Sequence, residues 1–446
     1  GGRVGGRSIE PKPFDANQLG PDLAGLEPSY AKTPLNVVVM QQDFVRLNQL
    51  KRHPRGMLRS LKVGARTMLA TARRKNLVGM GRALIAPLRV GLRKSGVPVL
   101  LNTALTDLYV EDGTVRGIYV RDTTAPEAAE PRLIRARRGV ILGCGGFDHN
   151  EQMRIKYQRA PITTEWTVGA KANTGDGIVA AEKLGAALEL MEDAWWGPTV
   201  PLVGRPWFAL NERNSPGSVI VNQAGKRFMN ESMPYVEAGH HMYGGPYGQG
   251  PGPGENVPCW LVFDQQYRDR YIFAGLQPGQ RIPQKWLDSG VVVSAGSIAE
   301  LAKKTGVPAA DLAVTVERFN GFARTGVDED FQRGESAYDK YYGDPTNKPN
   351  PNLAEVKHPP FYAAKLVPGD LGTKGGIRTD VHGRALRDDG SVIEGLYAAG
   401  NVSAPVMGHT YPGPGGTIGP AMVFGYLAAL HIAGAAGPAS SRTGKD

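Results

Sequence analysis

A glycine-rich turn near the C-terminus is the segment best suited to chemistry. The turn runs from Tyr411 to Ile418 and follows an apolar segment, Gly395–Ala399, which is typical of a buried strand and ends at Gly400. A glycine at the end of a strand lets the backbone approach a ligand closely. The N–H groups at the start of the next predicted helix, Gly419–Ala433, favour an electron-rich ring oxygen or developing negative charge. The pattern therefore predicts a ligand site formed by both elements.

The elements that must position this turn alternate between strands and helices. Strands are predicted at Val97–Leu101, Thr106–Val110, Val115–Arg121, Gly139–Leu142, Val219–Asn222 and Trp260–Asp264, where apolar residues are bounded by turn residues. Helices are predicted at Ile178–Leu188 and Ile298–Phe322. At 446 residues the chain is long enough for two or three domains.

Five segments in series resemble the fumarate reductase/succinate dehydrogenase flavoprotein superfamily. They are Val140–Asp148, a strand ending in a double glycine and an aromatic residue; Asn173–Gly177, which contains TGDG; Gly225–Glu231, which reads GKRF-x-NE; Gly375–Gly383; and Gly395–Asn401, which reads GLYAAGN. They occur in the family's order, and the resemblance extends from about Gly1 to Ala433.

This resemblance implies the fold class and the cofactor. The fold would be α/β (α+β), with a discontinuous Rossmann-like FAD-binding domain at 1–197 and 373–446 and an inserted α+β catalytic domain at 198–372. FAD would be bound non-covalently. The residues implied to contact it are Gly145, Gly146, Thr174, Gly175, Asp176, Gly400, Asn401, Gly416, Thr417 and Ile418.

Three longer strings resemble the 3-ketosteroid Δ1-dehydrogenases in particular. They are GHTYPGPGGTIGPA around Tyr411, RFMNES with Tyr235 shortly after it, and GGRSIEPKPFD near the start. That family removes the hydrogens at C1 and C2 of the A ring of a 3-ketosteroid, converting a 3-keto-4-ene to a 3-keto-1,4-diene in steroid degradation. The resemblance implies an enzyme, an FAD-dependent oxidoreductase acting on CH–CH groups, with a 3-ketosteroid as its substrate.

The implied chemistry explains the residue types at this site. The C2 hydrogen is acidic only because the C3 carbonyl can become an enolate, so the family places two donors on that oxygen, here the Tyr411 hydroxyl and the Gly415 N–H. A tyrosine then removes the proton from C2, and hydride passes from C1 to flavin N5. The best match for this base is Tyr235, with Tyr243 as the fallback, and its pKa would have to fall well below the usual value near 10.

Other functions remain open at this level. Within the superfamily the alternatives are a Δ4-(5α)-ketosteroid dehydrogenase or another flavin-dependent enone reductase. From a different class, the chain could be a non-catalytic subunit or a protein that binds membrane surfaces. Steroid side-chain preference, electron acceptor and oligomeric state have no signature in the sequence.

One expected unit is missing from the sequence. Members of the superfamily begin with a strand and a Gly-x-Gly-x-x-Gly turn that receives the pyrophosphate of FAD. The segment Gly1–Gly6 has glycines but no strand before it. We therefore expect this unit, and a further assisting tyrosine of the family, to be encoded upstream or supplied by a separate chain.

Composition and charge bear on location and partners. Hydrophobic residues make up 41% of the chain, ordinary for a soluble enzyme, and two cysteines favour a reducing, cytoplasmic compartment. The segment Lys51–Lys94 carries 13 Lys and Arg residues and no Asp or Glu, with apolar residues at near-helical spacing. This segment is either a solvated helical face or a site for anionic membrane surfaces. We expect no nucleic-acid binding, since no such motif accompanies the charge, and no metal site.

Overall fold

The computed structural model describes residues 9–29, 37–47, 53–126 and 130–434. Residues 1–8 lie outside this part of the chain. The predictions made on Gly1–Gly6 and on the first residues of the GGRSIEPKPFD string therefore concern residues that are not described, as do Lys51 and Arg52 of the basic segment.

Strands and helices are interspersed along the described residues, with several runs of consecutive strands. The strands are β1 (Phe14–Asp15), β2 (Leu77–Val78), β3 (Thr103–Glu111), β4 (Thr114–Asp122), β5 (Arg132–Arg135), β6 (Val140–Leu142), β7 (Leu188–Glu189), β8 (Ala194–Val200), β9 (Trp207–Phe208), β10 (Ser218–Val221), β11 (Cys259–Asp264), β12 (Val292–Ala295), β13 (Phe361–Thr373), β14 (Gly376–Ile377), β15 (Arg384–Leu386) and β16 (Val392–Ala398). The helices are α1 (Gln41–Leu47), α2 (Pro54–Ala72), α3 (Met80–Lys94), α4 (Glu151–Tyr157), α5 (Asp176–Glu182), α6 (Leu210–Asn214), α7 (Tyr235–Tyr243), α8 (Gln265–Arg270), α9 (Gln284–Asp288), α10 (Ile298–Thr305), α11 (Ala309–Thr325), α12 (Ala337–Tyr342) and α13 (Ile418–Ala433).

The largest sheet is antiparallel and has the order β10-β11-β13-β8-β9, with β12 also paired to β13. Side chains of β11 alternate between two apolar cores. Leu261 and Phe263 pack in one core, and Trp260 and Val262 pack in the other with residues of α10 and α11. This alternation is the period of two that a strand imposes, and it shows that both faces of the sheet are covered.

A smaller sheet joins two distant parts of the chain. Its order is β15-β16-β6, and β16 runs parallel to β6 with Ala398 opposite Leu142. The large sheet lies between these strands in sequence. Strand β8 spans the predicted boundary at residues 197 and 198, and the domain limits stay predictions.

Most predicted elements form near their expected positions, but three do not. The helix predicted at Ile178–Leu188 is shorter, because α5 ends at Glu182 and Leu188 begins β7. Val97–Leu101 forms no strand, and Leu101 is exposed, so its apolar side chains meet no sheet partner. The predicted helix Ile298–Phe322 is two helices, α10 and α11. Gly306 ends the first in the left-handed conformation, and Pro308 caps the second.

The basic segment forms two helices, as its spacing predicted. Helices α2 and α3 turn Val63 and Val90 inward, while Leu58, Leu61 and Met68 are exposed among the Lys and Arg residues. No helix within the described residues combines the length and the apolar composition needed to cross a membrane.

Candidate active site

Two tyrosines from distant segments lie in contact, with their rings tilted by 41°. Helix α7 begins at Tyr235, directly after Pro234, and its ring centroid lies 4.9 Å from that of Tyr411 in the glycine-rich turn. The ring centroid of Phe208 lies 5.2 Å from that of Tyr235, and the ring centroid of Trp195 lies 5.6 Å from that of Tyr411. The structure thus brings together the two tyrosines that the sequence selected and surrounds them with apolar rings.

Burial controls the protonation of this pair. The pKa of Tyr235 is raised well above its ordinary value, first by burial and then by the neighbouring hydroxyl of Tyr411. The expectation that the pKa of Tyr235 is lowered is therefore wrong. The apolar rings around Tyr235 disfavour its charged phenolate form, which raises the pKa. Burial also raises the pKa of Tyr411, so this phenol stays protonated near neutral pH and remains a hydrogen-bond donor.

Tyr243, the fallback base, lies at the other end of α7. Its hydroxyl donates to the carbonyl of Pro161 at 3.0 Å, and its ring packs on Trp196 at 5.2 Å. Trp196 is fully buried. Tyr243 therefore takes part in core packing and does not join the pair of Tyr235 and Tyr411.

The turn after Tyr411 leaves its backbone open. Gly415 has a φ of +94°, a conformation that favours glycine, and a Cβ placed there would meet no atom within 4 Å. The N–H of Gly416 donates to the carbonyl of Gly413 at 3.0 Å, which shapes the turn. Thr417 then occupies the position before α13, whose first residue is Ile418, and its side chain makes no capping hydrogen bond.

The predicted cofactor residues of the first half of the chain also lie together. Gly145, with a φ of +83°, and Gly146 follow β6, and the N–H of Gly175 donates to the carbonyl of Gly146 at 3.0 Å. The hydroxyl of Thr174 donates to the carboxylate of Asp176 at 2.8 Å, at the start of α5. These contacts bring the TGDG segment against the double glycine.

The end of β16 completes the same edge. Gly400 has a φ of +85°, and a Cβ placed there would lie 3.5 Å from the Cβ of Ala421 in α13. Asn401 accepts a hydrogen bond from the Trp195 indole at 3.1 Å. Since β6 and β16 are parallel, their following glycines emerge at one edge of the sheet, where open α/β sheets bind ligands.

This edge fits a flat aromatic ring such as that of FAD. The positions where Gly143 and Gly415 would carry a Cβ face open space. Ile418 and Met422 of α13 expose apolar surface beside the backbone N–H groups of the turn. Glycine backbone for close approach and apolar side chains for stacking are what an aromatic cofactor requires.

Several buried charged residues close to the site have no signature in the sequence. Asp193, directly before β8, Lys374, directly after β13, and His240 of α7 form a hydrogen-bonded chain. Asp148 is also buried; burial and the neighbouring Asp370 raise its pKa to about 6. Glycine motifs flank Lys374 and Asp148, but nothing in those motifs indicates that the charges are buried. Among the described residues, no group of three His, Cys, Asp or Glu side chains is arranged to hold a metal ion.

Comparisons with known proteins define the class first. A family model described as an FAD binding domain matches residues 3–418. This match and the sheet edge described above place the chain among the FAD-binding flavoproteins, and the α/β (α+β) fold class is confirmed.

Individual relatives define the family. The chain is 82% identical to the 3-oxosteroid 1-dehydrogenase of Mycolicibacterium smegmatis over 100% of this chain and 78% of that protein. It is 81% identical to the 3-oxosteroid 1-dehydrogenase of Mycobacterium tuberculosis over 98% of this chain and 78% of that protein. The crystal structure of 3-ketosteroid delta1-dehydrogenase from Sterolibacterium denitrificans in complex with 1,4-androstadiene-3,17-dione matches with a TM-score of 0.88 and 40% identity. It covers 96% of this chain and 77% of that one. The chain belongs to the 3-oxosteroid 1-dehydrogenase family.

Proposed function

We propose that the chain catalyses FAD-dependent 1,2-desaturation of the A ring of 3-ketosteroids, with Tyr411, Gly415 and Tyr235 as its catalytic residues. Membership of the 3-oxosteroid 1-dehydrogenase family supports the reaction and the substrate class. The observation that carries the residue assignment is the contact between the rings of Tyr235 and Tyr411, at 4.9 Å, next to the open turn at Gly415.

Glycines and polar residues at the edge of the small sheet would hold FAD. These are Gly145, Gly146, Thr174, Gly175, Asp176, Gly400, Asn401, Gly416, Thr417 and Ile418. The bound cofactor supplies the two-electron acceptor that the removal of two hydrogens requires.

Tyr411 and Gly415 polarise the C3 carbonyl of the steroid. The phenol of Tyr411 is neutral because burial raises its pKa, so its hydroxyl donates to the carbonyl oxygen. The N–H of Gly415 is the second donor. Negative charge grows on this oxygen as the enolate forms, and fixed donors stabilise it more than they stabilise the ketone.

Tyr235 accepts the proton from C2. Its neighbour Tyr411 holds the carbonyl oxygen one carbon away, so both tyrosines act on adjacent atoms of one ring. The rings of Phe208 and Trp195, which contact the pair, provide apolar surface for a flat steroid. Because the pKa of Tyr235 is raised, only a small fraction of its side chains is deprotonated near neutral pH. The phenolate that forms is a strong base.

Reduction of the flavin by a steroid tests the reaction directly. The chain is expressed with its upstream coding region, and a 3-keto-4-ene steroid is added without oxygen while the visible flavin absorption is recorded. We expect the band to bleach and the 1,4-diene to form. A bound flavin that stays oxidised would rule out the steroid reaction, and a protein without flavin would favour a non-catalytic role.

A further polypeptide unit completes the cofactor site. Helix α13 leaves Ile418, Met422, Val423 and Tyr426 exposed, and β6 has β16 as its sheet neighbour on one side. An exposed apolar helix face beside a sheet edge is typical of a surface that packs on another element. This unit is either an upstream segment or a separate chain that carries the dinucleotide-binding turn.

The basic helices associate with anionic membrane surfaces. Helix α2 exposes Leu58, Leu61 and Met68 among Lys and Arg side chains, and α3 exposes Ile85 and Leu88 in the same way. This is the composition of helices that lie in the headgroup region. Apolar steroids partition into the same membranes, which favours the attachment.

Vesicle sedimentation tests this attachment. We expect the protein to bind phosphatidylcholine vesicles that contain phosphatidylglycerol, and salt to weaken the binding. Leu61→Glu reduces the bound fraction several-fold, whereas Val314→Glu, at an equally exposed site on α11, leaves it unchanged. A protein that stays in the supernatant at low salt would show that these helices form a solvated face.

A further inference from the structure

We infer that the buried ion pair of Asp193 and Lys374 is a positioning device that holds Tyr235 and Tyr411 in register. The inference rests on the proposed function, because it concerns the geometry of the two proposed catalytic tyrosines. Neither residue of the pair touches a tyrosine hydroxyl. They act through His240, in the helix that Tyr235 begins, and through His409, two residues before Tyr411.

The ion pair is a fixed point at the ends of two paired strands of the large sheet, β8 and β13. The Lys374 ammonium lies 2.8 Å from the Asp193 carboxylate, and both side chains are fully buried. The backbone N–H of Lys374 also donates to the Asp193 carbonyl at 3.1 Å. Asp193 directly precedes β8, and Lys374 directly follows β13, so the pair ties the ends of two neighbouring strands.

Asp193 connects this point to helix α7. Its second carboxylate oxygen lies 2.9 Å from the Nε2 of His240, which is also buried. His240 is in the second turn of the helix that Tyr235 begins. A single helix of nine residues transmits displacement as a rigid rod, so fixing His240 limits the movement of Tyr235.

Lys374 connects the same point to the glycine-rich turn. Its ammonium donates to the backbone carbonyl of His409 at 2.7 Å, two residues before Tyr411. The Nε2 of His409 lies 2.8 Å from a carboxylate oxygen of Glu192, the residue before Asp193. This hydrogen bond is a second connection between the segment before Tyr411 and the start of β8. The ammonium also lies 4.9 Å from the centroid of Trp195, the ring that contacts Tyr411.

Stability alone does not account for this arrangement. The free energy needed to remove two charges from water can equal the attraction gained between them. A buried ion pair is therefore often no better for stability than apolar residues of similar size. The pair instead controls position, because each of its hydrogen bonds fixes one atom of a separate segment of the chain. Two tyrosines that act on adjacent carbons of one ring need such control.

A double-mutant cycle tests the inference. Lys374→Met is made in the wild type and in Tyr411→Phe, and the rate of flavin reduction by steroid is measured per flavin-loaded site. Because misplacement by about 1 Å can cost about 10²-fold, we expect Lys374→Met to lower kcat by roughly that factor in the wild type. In Tyr411→Phe the added loss falls below about threefold, since the lysine acts through that tyrosine.

The controls separate positioning from stability. Lys304→Met removes an exposed ammonium that also binds one carboxylate and one backbone carbonyl, each at 2.8 Å, and leaves kcat unchanged. If Lys374→Met does not fold, the neutral double variant Asp193→Asn/Lys374→Met replaces it in the cycle. Steroid dissociation constant and flavin content stay near wild type, while kcat falls.

Two results would overturn the inference. One is an equal fold loss from Lys374→Met in both backgrounds, which marks a general structural role. The other is a wild-type kcat in folded Lys374→Met. Failure of the proposed function looks different, because the wild-type flavin then stays oxidised with steroid before any variant is compared.

Discussion

Tyr411→Phe lowers the rate of flavin reduction by a 3-keto-4-ene steroid by about 10²–10³-fold, the effect of removing one donor from a developing oxyanion. The phenylalanine keeps the ring that packs on Tyr235 and Trp195, so the fold is retained. The loss lies in kcat and leaves the steroid dissociation constant within a few-fold, because the donor stabilises the enolate more than the ketone. Anaerobic stopped-flow absorbance at the flavin band measures the rate.

Isotope exchange separates enolisation from hydride transfer. If Tyr411 stabilises the enolate, wash-in of deuterium at C2 from D2O slows in Tyr411→Phe by a similar factor. Tyr109→Phe, which removes a tyrosine hydroxyl that binds Glu111 on an exposed strand, serves as the matched control and keeps the wild-type rate. Unchanged exchange in Tyr411→Phe would show that another group carries the enolate charge.

The pairing of Tyr235 and Tyr411 could be anticipated from the sequence because each sits in a recognisable string. Tyr411 opens a Pro- and Gly-rich turn, and Tyr235 follows the GKRF-x-NE segment. The strands β6 and β16 could be anticipated for the same reason, since each ends in glycines that a ligand site requires. Their parallel pairing was not predicted and is a finding of the structure. Local patterns of this kind can be recognised in a single sequence, because they do not depend on packing between distant segments.

Features that depend on packing between distant segments could not be read from the sequence. Asp193, His240 and Lys374 are ordinary polar residues in sequence, and their burial follows from the way β8, α7 and β13 meet. The raised pKa of Tyr235 has the same origin, because desolvation is set by neighbours such as Phe208. The apolar alternation of Val97–Leu101 predicted a strand, but no neighbouring strand pairs with it among the described residues.

The raised pKa of Tyr235 predicts a distinctive pH dependence. A base works when deprotonated, and below its pKa the deprotonated fraction rises tenfold for each pH unit. We therefore expect kcat/KM to rise steadily from about pH 6 to about pH 9 without a plateau, because the pKa lies above the ordinary value near 10. A lowered pKa would instead give a plateau at neutral pH.

The raised pKa of Tyr235 also sets the upper pH limit of the assay. A tyrosine whose folded-state pKa exceeds its unfolded value binds its proton more tightly in the folded state, so its contribution to stability is complete below about pH 10. The contribution is lost as pH rises above that value. Rates are therefore compared between about pH 6 and pH 9, where the fold is unaffected by this group and changes in kcat/KM report the base.

Tyr235→Phe removes the base and its pH dependence together. We expect kcat/KM to fall by about 10²–10⁴-fold at pH 8, the range typical of a lost general base, and the remaining activity to lose its rise with pH. Tyr243→Phe, in the same helix, removes a hydroxyl that binds the Pro161 carbonyl and leaves the slope of the pH profile intact. A profile that keeps its slope in Tyr235→Phe would assign the proton transfer to a different residue. The raised pKa of Tyr235 would then reflect packing against Phe208 and Tyr411 alone.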